Sequence, residues 1–290
     1  MNIKVRVTCF WEDDRSFLES IKRYGRGKTT WKNIEFVVDD NYDRLVILTR
    51  PHCAMVNYDV QKAITFLTEP PTSNNVRPHI TSSISSMYLP LPFYNDRIRG
   101  ALKYGGNGEH ILKSKLFSCV TSDLNSLEGH FQRLRLIDHL DKIIDEGLDV
   151  WGKGYGNTFF ERINCYKGEI ADKYDALWEY RYHFACENSF TQNYFTEKIA
   201  DPIIAETLCF YDGCENIQDF IDDRAFVKID VKNPLEATEK IIEMIQSDEI
   251  SRRKKYIKQQ KKRLLMELNP LNIIWMGINE KDVLKECMLK

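Results

Sequence analysis

The sequence predicts a two-domain α/β protein, each domain built on a mainly parallel sheet. Three observations carry this. Short apolar runs alternate with helical or loop segments through most of the 290 residues. A Gly-Gly-Asn-Gly cluster with charged flanks, within "RIRGALKYGGNGEHILKSK" (residues 97–115), interrupts that alternation near the middle. Four strand candidates fall on either side of it, so the halves are of similar size.

In the first half the candidates are "IKVRVTCF", "IEFVV", "RLVILT" and "AITFLTE". The last runs into Glu69 and two prolines, which stop a strand and hold the carboxylate at its tip. The second half offers "KLFSCVTS", "YRYHFACE", "TLCFYDG" and "FVKIDV". The first of these leads into "LEGHFQRLRLIDHL", a helical pattern with Arg133 and Arg135 in its inner turns. Beyond Pro234 apolar residues recur at helical spacing with basic residues between them, and "NPLNIIWMGINEKDVLKEC" supplies a final amphipathic segment. The expected division is 1–105, 106–270 and a C-terminal helical segment, 271–290.

Composition narrows the classes. At 43% hydrophobic and 12% aromatic the chain can bury substantial cores. A net charge of −2 provides no global field for nucleic acid, so an anionic ligand needs a local cluster of cations. The eight cysteines are scattered without a C-x-x-C pair and read as reduced packing residues, not as a zinc site. "MNIKVRVTCFW" reads as a strand, and no eighteen-residue apolar run occurs; the expectation is a cytoplasmic protein.

Two open α/β halves imply a ligand crevice at the carboxyl ends of strands. The junction "FACENSFTQNYFTEKIADPIIAET" (184–207) is rich in chemistry: with a helix from about Thr196, residues Tyr194, Glu197, Lys198 and Asp201 share one polar stripe. Thr196 serves as N-cap, and the free N–H groups of a helix start favour an anion such as phosphate; a capped surface helix with an intrahelical ion pair is the structural alternative. A sugar-nucleotide transferase needs a carboxylate to deprotonate the acceptor hydroxyl and cations to neutralise the departing diphosphate. No D-x-D pair is present to hold a metal. Glu69 in the first half, with Arg133 and Lys198 in the second, fits that division of labour.

The stretch "CENSFTQNYFTEKIADPIIAETLCFYDGCENIQDF" resembles the donor-binding signature of the α-1,3/1,4-fucosyltransferases, glycosyltransferase family 10. "KVRVTCFWEDD", "FLTEPP", "VTSDLNSLEGHFQRLRLIDHL" and "DVWGKG" agree with other family segments in order, so the resemblance covers roughly residues 3 to 230. It implies the GT-B fold, two Rossmann-like domains facing a central cleft, here with C-terminal helices. It further implies an inverting enzyme that uses GDP-fucose as donor and a glycan as acceptor without an obligatory metal or other cofactor. Carried over position by position, Glu69 is the general base, and Arg133 and Lys198 bind the diphosphate. Glu197 contacts the ribose, Tyr194 and Asn188 line the donor pocket, and Glu187 lies close to the sugar.

The sequence departs from the family at Asp123 (usually Asn), Leu136 (an aromatic), Cys209 (commonly Pro) and Pro202, which is expected to kink its helix. These departures are expected to touch the walls of the donor pocket. Two rival readings stand beside the fucosyltransferase: an inverting GT-B enzyme using another NDP-sugar, and a catalytically silent nucleotide- or glycan-binding protein. Eight of residues 251–263 are Lys or Arg, a pattern that suits either a solvated helix face or peripheral contact with an anionic membrane.

Overall fold

The structure, a computed structural model, describes residues 2–55, 57–76, 83–94 and 112–289. The glycine-rich segment that marks the domain boundary falls, from 97 to 111, outside the described residues. Two compact units emerge: one of residues 1–108 with 263–288 and 290, the other of residues 109–262 with 289.

The first unit carries a six-stranded sheet in the order β2-β3-β1-β4-β5-β6. Its strands are β1 (Ile3–Cys9), β2 (Thr30–Trp31), β3 (Ile34–Val37), β4 (Arg44–Leu48), β5 (Ala63–Phe66) and β6 (Ser83–Ile84), all paired in parallel except β2 with β3. Central β4 is apolar from Leu45 to Leu48 and buried throughout that run, as a strand covered on both faces must be. Helix α1 (Asp14–Tyr24) starts where the Asp13 carboxylate accepts from the N–H groups of Arg15 and Ser16, and it buries Phe17 and Ile21 against the sheet side of the unit.

The second unit holds β7 (Lys115–Val120), β8 (Leu148–Trp151), β9 (Tyr166–Gly168), β10 (Tyr180–Cys186), β11 (Leu208–Asp212) and β12 (Phe226–Lys228) in a wholly parallel sheet, ordered β12-β11-β10-β7-β8-β9. Its helices are α2 (Glu128–Ile143), α3 (Phe159–Arg162), α4 (Glu197–Ile204), α5 (Pro234–Gln246) and the start of α6 (Glu249–Met266). The eight strands expected from apolar runs are all present; β2, β6 and β9, two or three residues each, were too short to leave a pattern, and four-residue β8, which runs into "DVWGKG", was marked by the resemblance and not by an apolar run.

The last helices, α7 (Pro270–Ile278) and α8 (Val283–Cys287), belong to the first unit. The Trp275 indole N–H donates to Asn33 Oδ1 at 2.5 Å, and buried Asn269 donates to the Tyr24 carbonyl at 3.2 Å. Among the described residues no helix is long and apolar enough to cross a membrane.

Both sheets contain a topological switch point, where chain connections leave to opposite sides and open a crevice at the strand carboxyl ends. In the first unit it lies between β1 and β4; in the second, between β7 and β10.

Candidate functional site

At the switch point of the second unit, β10 ends in Cys186 and continues into Glu187 and Asn188, while β7 leads into α2. The two meet closely. A Cβ on Gly129, in the first turn of α2, would lie 1.9 Å from the Glu187 carbonyl oxygen, and the Gly129 N–H donates to the Asn188 carbonyl at 3.1 Å. Glycine is what lets the helix start approach the strand end so closely.

One turn further, Arg133 faces inward and is almost wholly buried, whereas Arg135 is exposed and bonds Gln132. Helical periodicity thus separates two arginines that looked equivalent in sequence. Arg133 Nη1 donates to the Cys186 carbonyl at 2.9 Å and to Asn188 Oδ1 at 3.4 Å; its buried Nε has no hydrogen-bond partner.

Thr196 caps α4 as expected, accepting from the Lys198 N–H at 3.3 Å. Its own N–H and hydroxyl both donate to the carboxylate of Glu187, at 2.9 Å to Oε1 and 2.8 Å to Oε2. Tyr211, on the neighbouring strand β11, adds a third donor at 3.1 Å. Glu187 is therefore a fully buried anchor for the start of α4, with its carboxylate turned inward. Gly213 makes room for it, since a Cβ there would lie 2.4 Å from the Glu187 side chain.

Lys198 stands between two carboxylates. Its Nζ lies 3.2 Å from Glu197 and 3.6 Å from Glu187; the Lys198 and Glu197 side chains are 20% and 25% exposed. Burial pushes the Glu187 carboxyl upward against the pull of the ammonium. Burial acts on Glu197 in the same sense, but the charges of Lys198 and Lys173 overcome it and hold that carboxyl down to about 2. On Lys198 itself burial acts downward, and the two glutamates win, leaving its pKa raised. The ammonium stays charged and partly exposed.

The expected polar stripe holds only in its middle. Tyr194 is buried two residues before the cap, and Asp201 is buried completely, paired with Lys173 at 2.9 Å and accepting from the Tyr174 hydroxyl at 3.3 Å. Asp201 thus ties α4 to the 173–176 turn. Pro202 lies inside α4, where it withholds the bond that would end on the Lys198 carbonyl.

The departures from the family pattern lie among buried residues. Asp123, Leu136 and Cys209 are fully buried. Asp123 accepts from the backbone N–H groups of Tyr155 at 2.6 Å and Asn157 at 2.9 Å, so its carboxylate clamps the loop after β8.

One residue at the site escaped the sequence reading. His130, three positions before Arg133 on α2, is buried, and its Nδ1 faces the Leu127 N–H at 3.4 Å. Burial first, and then the nearby Arg133, lower its pKa to about 4, opposed by a hydrogen bond with Asn188. The i, i+3 spacing to Arg133 was the signal available.

Glu69 belongs to the other unit, three residues past the end of β5, and is half-buried. The structure thus joins Arg133, Glu187, Asn188, Glu197 and Lys198 in one cluster and carries Glu69 on a separate sheet. Among the described residues no three His, Cys, Asp or Glu side chains gather as a metal-binding group.

A family model described as glycosyltransferase family 10 (fucosyltransferase) C-term matches residues 111–269. The fold is similar to an α1,3-fucosyltransferase crystal structure with GDP: TM-score 0.56, 18% identity, 87% of this chain and 81% of that one covered. A form of such an enzyme with GDP-fucose gives a TM-score of 0.53 at 17% identity, over 87% and 81% of the two chains. The T4 phage BGT in complex with UDP and Mn2+ gives 0.55 at 10% identity, over 95% and 99%. Comparison with curated proteins yields no match.

Proposed function

Because the chain belongs to glycosyltransferase family 10, the fucosyltransferases, and has the GT-B fold, we propose that this glycosyltransferase moves fucose from GDP-fucose to a glycan hydroxyl with inversion. The observation that carries the reading is the meeting of Arg133 and Lys198 at the β7/β10 switch point, beside the starts of α2 and α4. Two cations and two helix N-termini suit a nucleoside diphosphate.

In this mechanism Glu69 accepts the proton of the acceptor hydroxyl as its oxygen attacks the anomeric carbon from the face opposite the diphosphate. The bond from that carbon to the diphosphate oxygen breaks, and its electron pair leaves with GDP. Arg133 and Lys198 meet charge that grows as the bond breaks, which lowers the barrier more than it tightens ground-state binding. Glu197, the ionised and more exposed partner of Lys198, accepts from ribose hydroxyls in this reading, which its charge and partial exposure support. Asn188 and Tyr194 complete the donor pocket, and buried Glu187 acts through Thr196 and Lys198. No metal enters these steps.

Calorimetry with GDP-fucose, GDP-mannose, UDP- and dTDP-sugars, followed by a transfer assay, tests the reading. GDP and GDP-fucose should bind, with affinity nearly unchanged in EDTA. A preference for a UDP- or dTDP-sugar points to another donor, and GDP binding with neither transfer nor donor hydrolysis to a silent binding protein. A tenfold loss in EDTA restored by manganese rejects the metal-free mechanism.

A further inference from the structure

The first unit's switch point carries a second chemistry, built by three hydroxyls. Thr8 in β1 accepts from the His52 N–H at 3.1 Å, fastening the turn after β4 to the end of β1. Thr49, just past β4, accepts from the Thr68 N–H at 2.9 Å, and the Thr49 and Thr68 hydroxyls lie 2.8 Å apart. The ends of β1, β4 and β5 are thereby stitched side by side. Arg50 and Glu69 each follow one member of the Thr49–Thr68 clasp, so both lie in the chain just past the carboxyl ends of two neighbouring strands, β4 and β5.

The backbone at the clasp is strained. Thr49 adopts φ 62, a left-handed conformation costly for a β-branched residue. It turns the chain so that the Arg50 N–H bonds back to the Leu48 carbonyl at 2.7 Å. The guanidinium then lies over the Phe10 ring, 4.6 Å from its centroid, and Trp11 meets the same ring edge-on at 5.0 Å. Trp11 remains 42% exposed.

Among the described residues Arg50 is a cation without an anion. Its buried Nε has no hydrogen-bond partner, and no carboxylate among the described residues pairs with it. Leaving such a donor unmet is costly, and an arginine fork matches carboxylate or sulfate in a two-pronged geometry. An exposed indole beside it, whose N–H donates to Glu12 Oε1 at 3.1 Å, presents a flat apolar face suited to the face of a sugar ring.

We infer that the acceptor is an acidic glycan, whose carboxylate or sulfate binds Arg50 while a neighbouring sugar ring rests on Trp11 and offers its hydroxyl to Glu69. The inference rests on the glycosyltransferase reading and adds the charge class of the acceptor.

The test uses the full chain and GDP-fucose with three matched acceptors: a neutral oligosaccharide, the same glycan with a carboxylate-bearing sugar, and the same glycan sulfated. At least one acidic acceptor should be used with kcat/KM about tenfold or more above the neutral one, the worth of one charge-assisted contact, and the arm that responds identifies the group. Arg50→Gln should bring acidic and neutral acceptors to parity, leaving GDP affinity and the thermal unfolding midpoint in place, and Arg50→Lys should keep part of the preference. Equal or better use of the neutral acceptor by the parental enzyme overturns the inference. So does an Arg50→Gln loss that is equal for all acceptors or appears in GDP affinity. Absence of transfer to every acceptor, together with absence of donor hydrolysis, instead counts against the glycosyltransferase reading; binding of the three glycans by calorimetry then decides the acceptor's charge class directly.

Discussion

The ammonium of Lys198 lies 3.6 Å from the fully buried carboxylate of Glu187, which is held from its other side by Thr196 and Tyr211. The partly exposed lysine is thus positioned by a carboxylate that is not exposed at all. Removing Lys198 leaves the buried Glu187 without its counter-ion, whereas removing the Glu187 charge leaves Lys198 paired with Glu197, so their variants should differ in kind.

Lys198→Met should weaken GDP affinity by about 10- to 100-fold, the worth of a charge-assisted hydrogen bond, and lower transfer by more. Glu187→Gln keeps the ammonium and should cost less binding, while loosening the start of α4. Calorimetry and single-turnover transfer separate the two. A Lys198→Met enzyme that binds GDP like the parent would remove Lys198 from the diphosphate site.

Glu69→Gln should behave in the opposite way. A general base touches the acceptor hydroxyl and hardly the nucleotide, so donor affinity should persist while transfer falls roughly 10²- to 10⁴-fold. Transfer at the parental rate would place the base elsewhere.

His130 should make the protein sensitive to acid. Its pKa falls from 6.5 to about 4 on folding, so the unfolded chain binds a proton that the folded one refuses. Its contribution to stability is complete above pH 6.5 and is lost as pH falls toward 4. The loss reaches about 3 kcal/mol, since each tenfold change in proton affinity between the two states is worth about 1.4 kcal/mol. Buried His183, lowered further by its own desolvation, acts in the same direction. Denaturant midpoints between pH 4 and 7 should decline less steeply in His130→Gln; identical slopes would show that His130 does not titrate this way.

The basic run of α6 should adsorb to anionic membranes without inserting. Arg252, Lys254, Lys255, Lys258 and Lys262 are exposed, although Arg252 also pairs with Glu249 at 2.8 Å and Lys258 lies 3.9 Å from Glu206; Arg253 and Lys261 are less exposed and engaged with the same two glutamates, and the apolar Ile257, Leu264 and Leu265 are buried. We therefore expect flotation with vesicles rich in anionic lipid, none with neutral ones, and release at high salt. Binding that survives high salt would mean an apolar contact that this helix face does not offer.

The sequence by itself determined the local features. Strands β4, β10 and β11 announce themselves as apolar runs, Thr196 is a cap by residue type and position, and the Tyr-x-Thr-Glu-Lys spacing with its flanking Glu-Asn carries the resemblance to the family. Such features depend on neighbours within a few residues, whose relative directions the helical and strand periods fix. The tertiary structure alone decided what required distant segments to meet. Sheet order brings Tyr211 to Glu187 and Arg133 to the Cys186 carbonyl, turns Asp201 from an apparent stripe residue into a buried partner of Lys173, and joins Thr49 to Thr68 and Arg50 to Phe10. It also returned α7 and α8 to the first unit, because the apolar face of an amphipathic helix records that it must be covered but not by what.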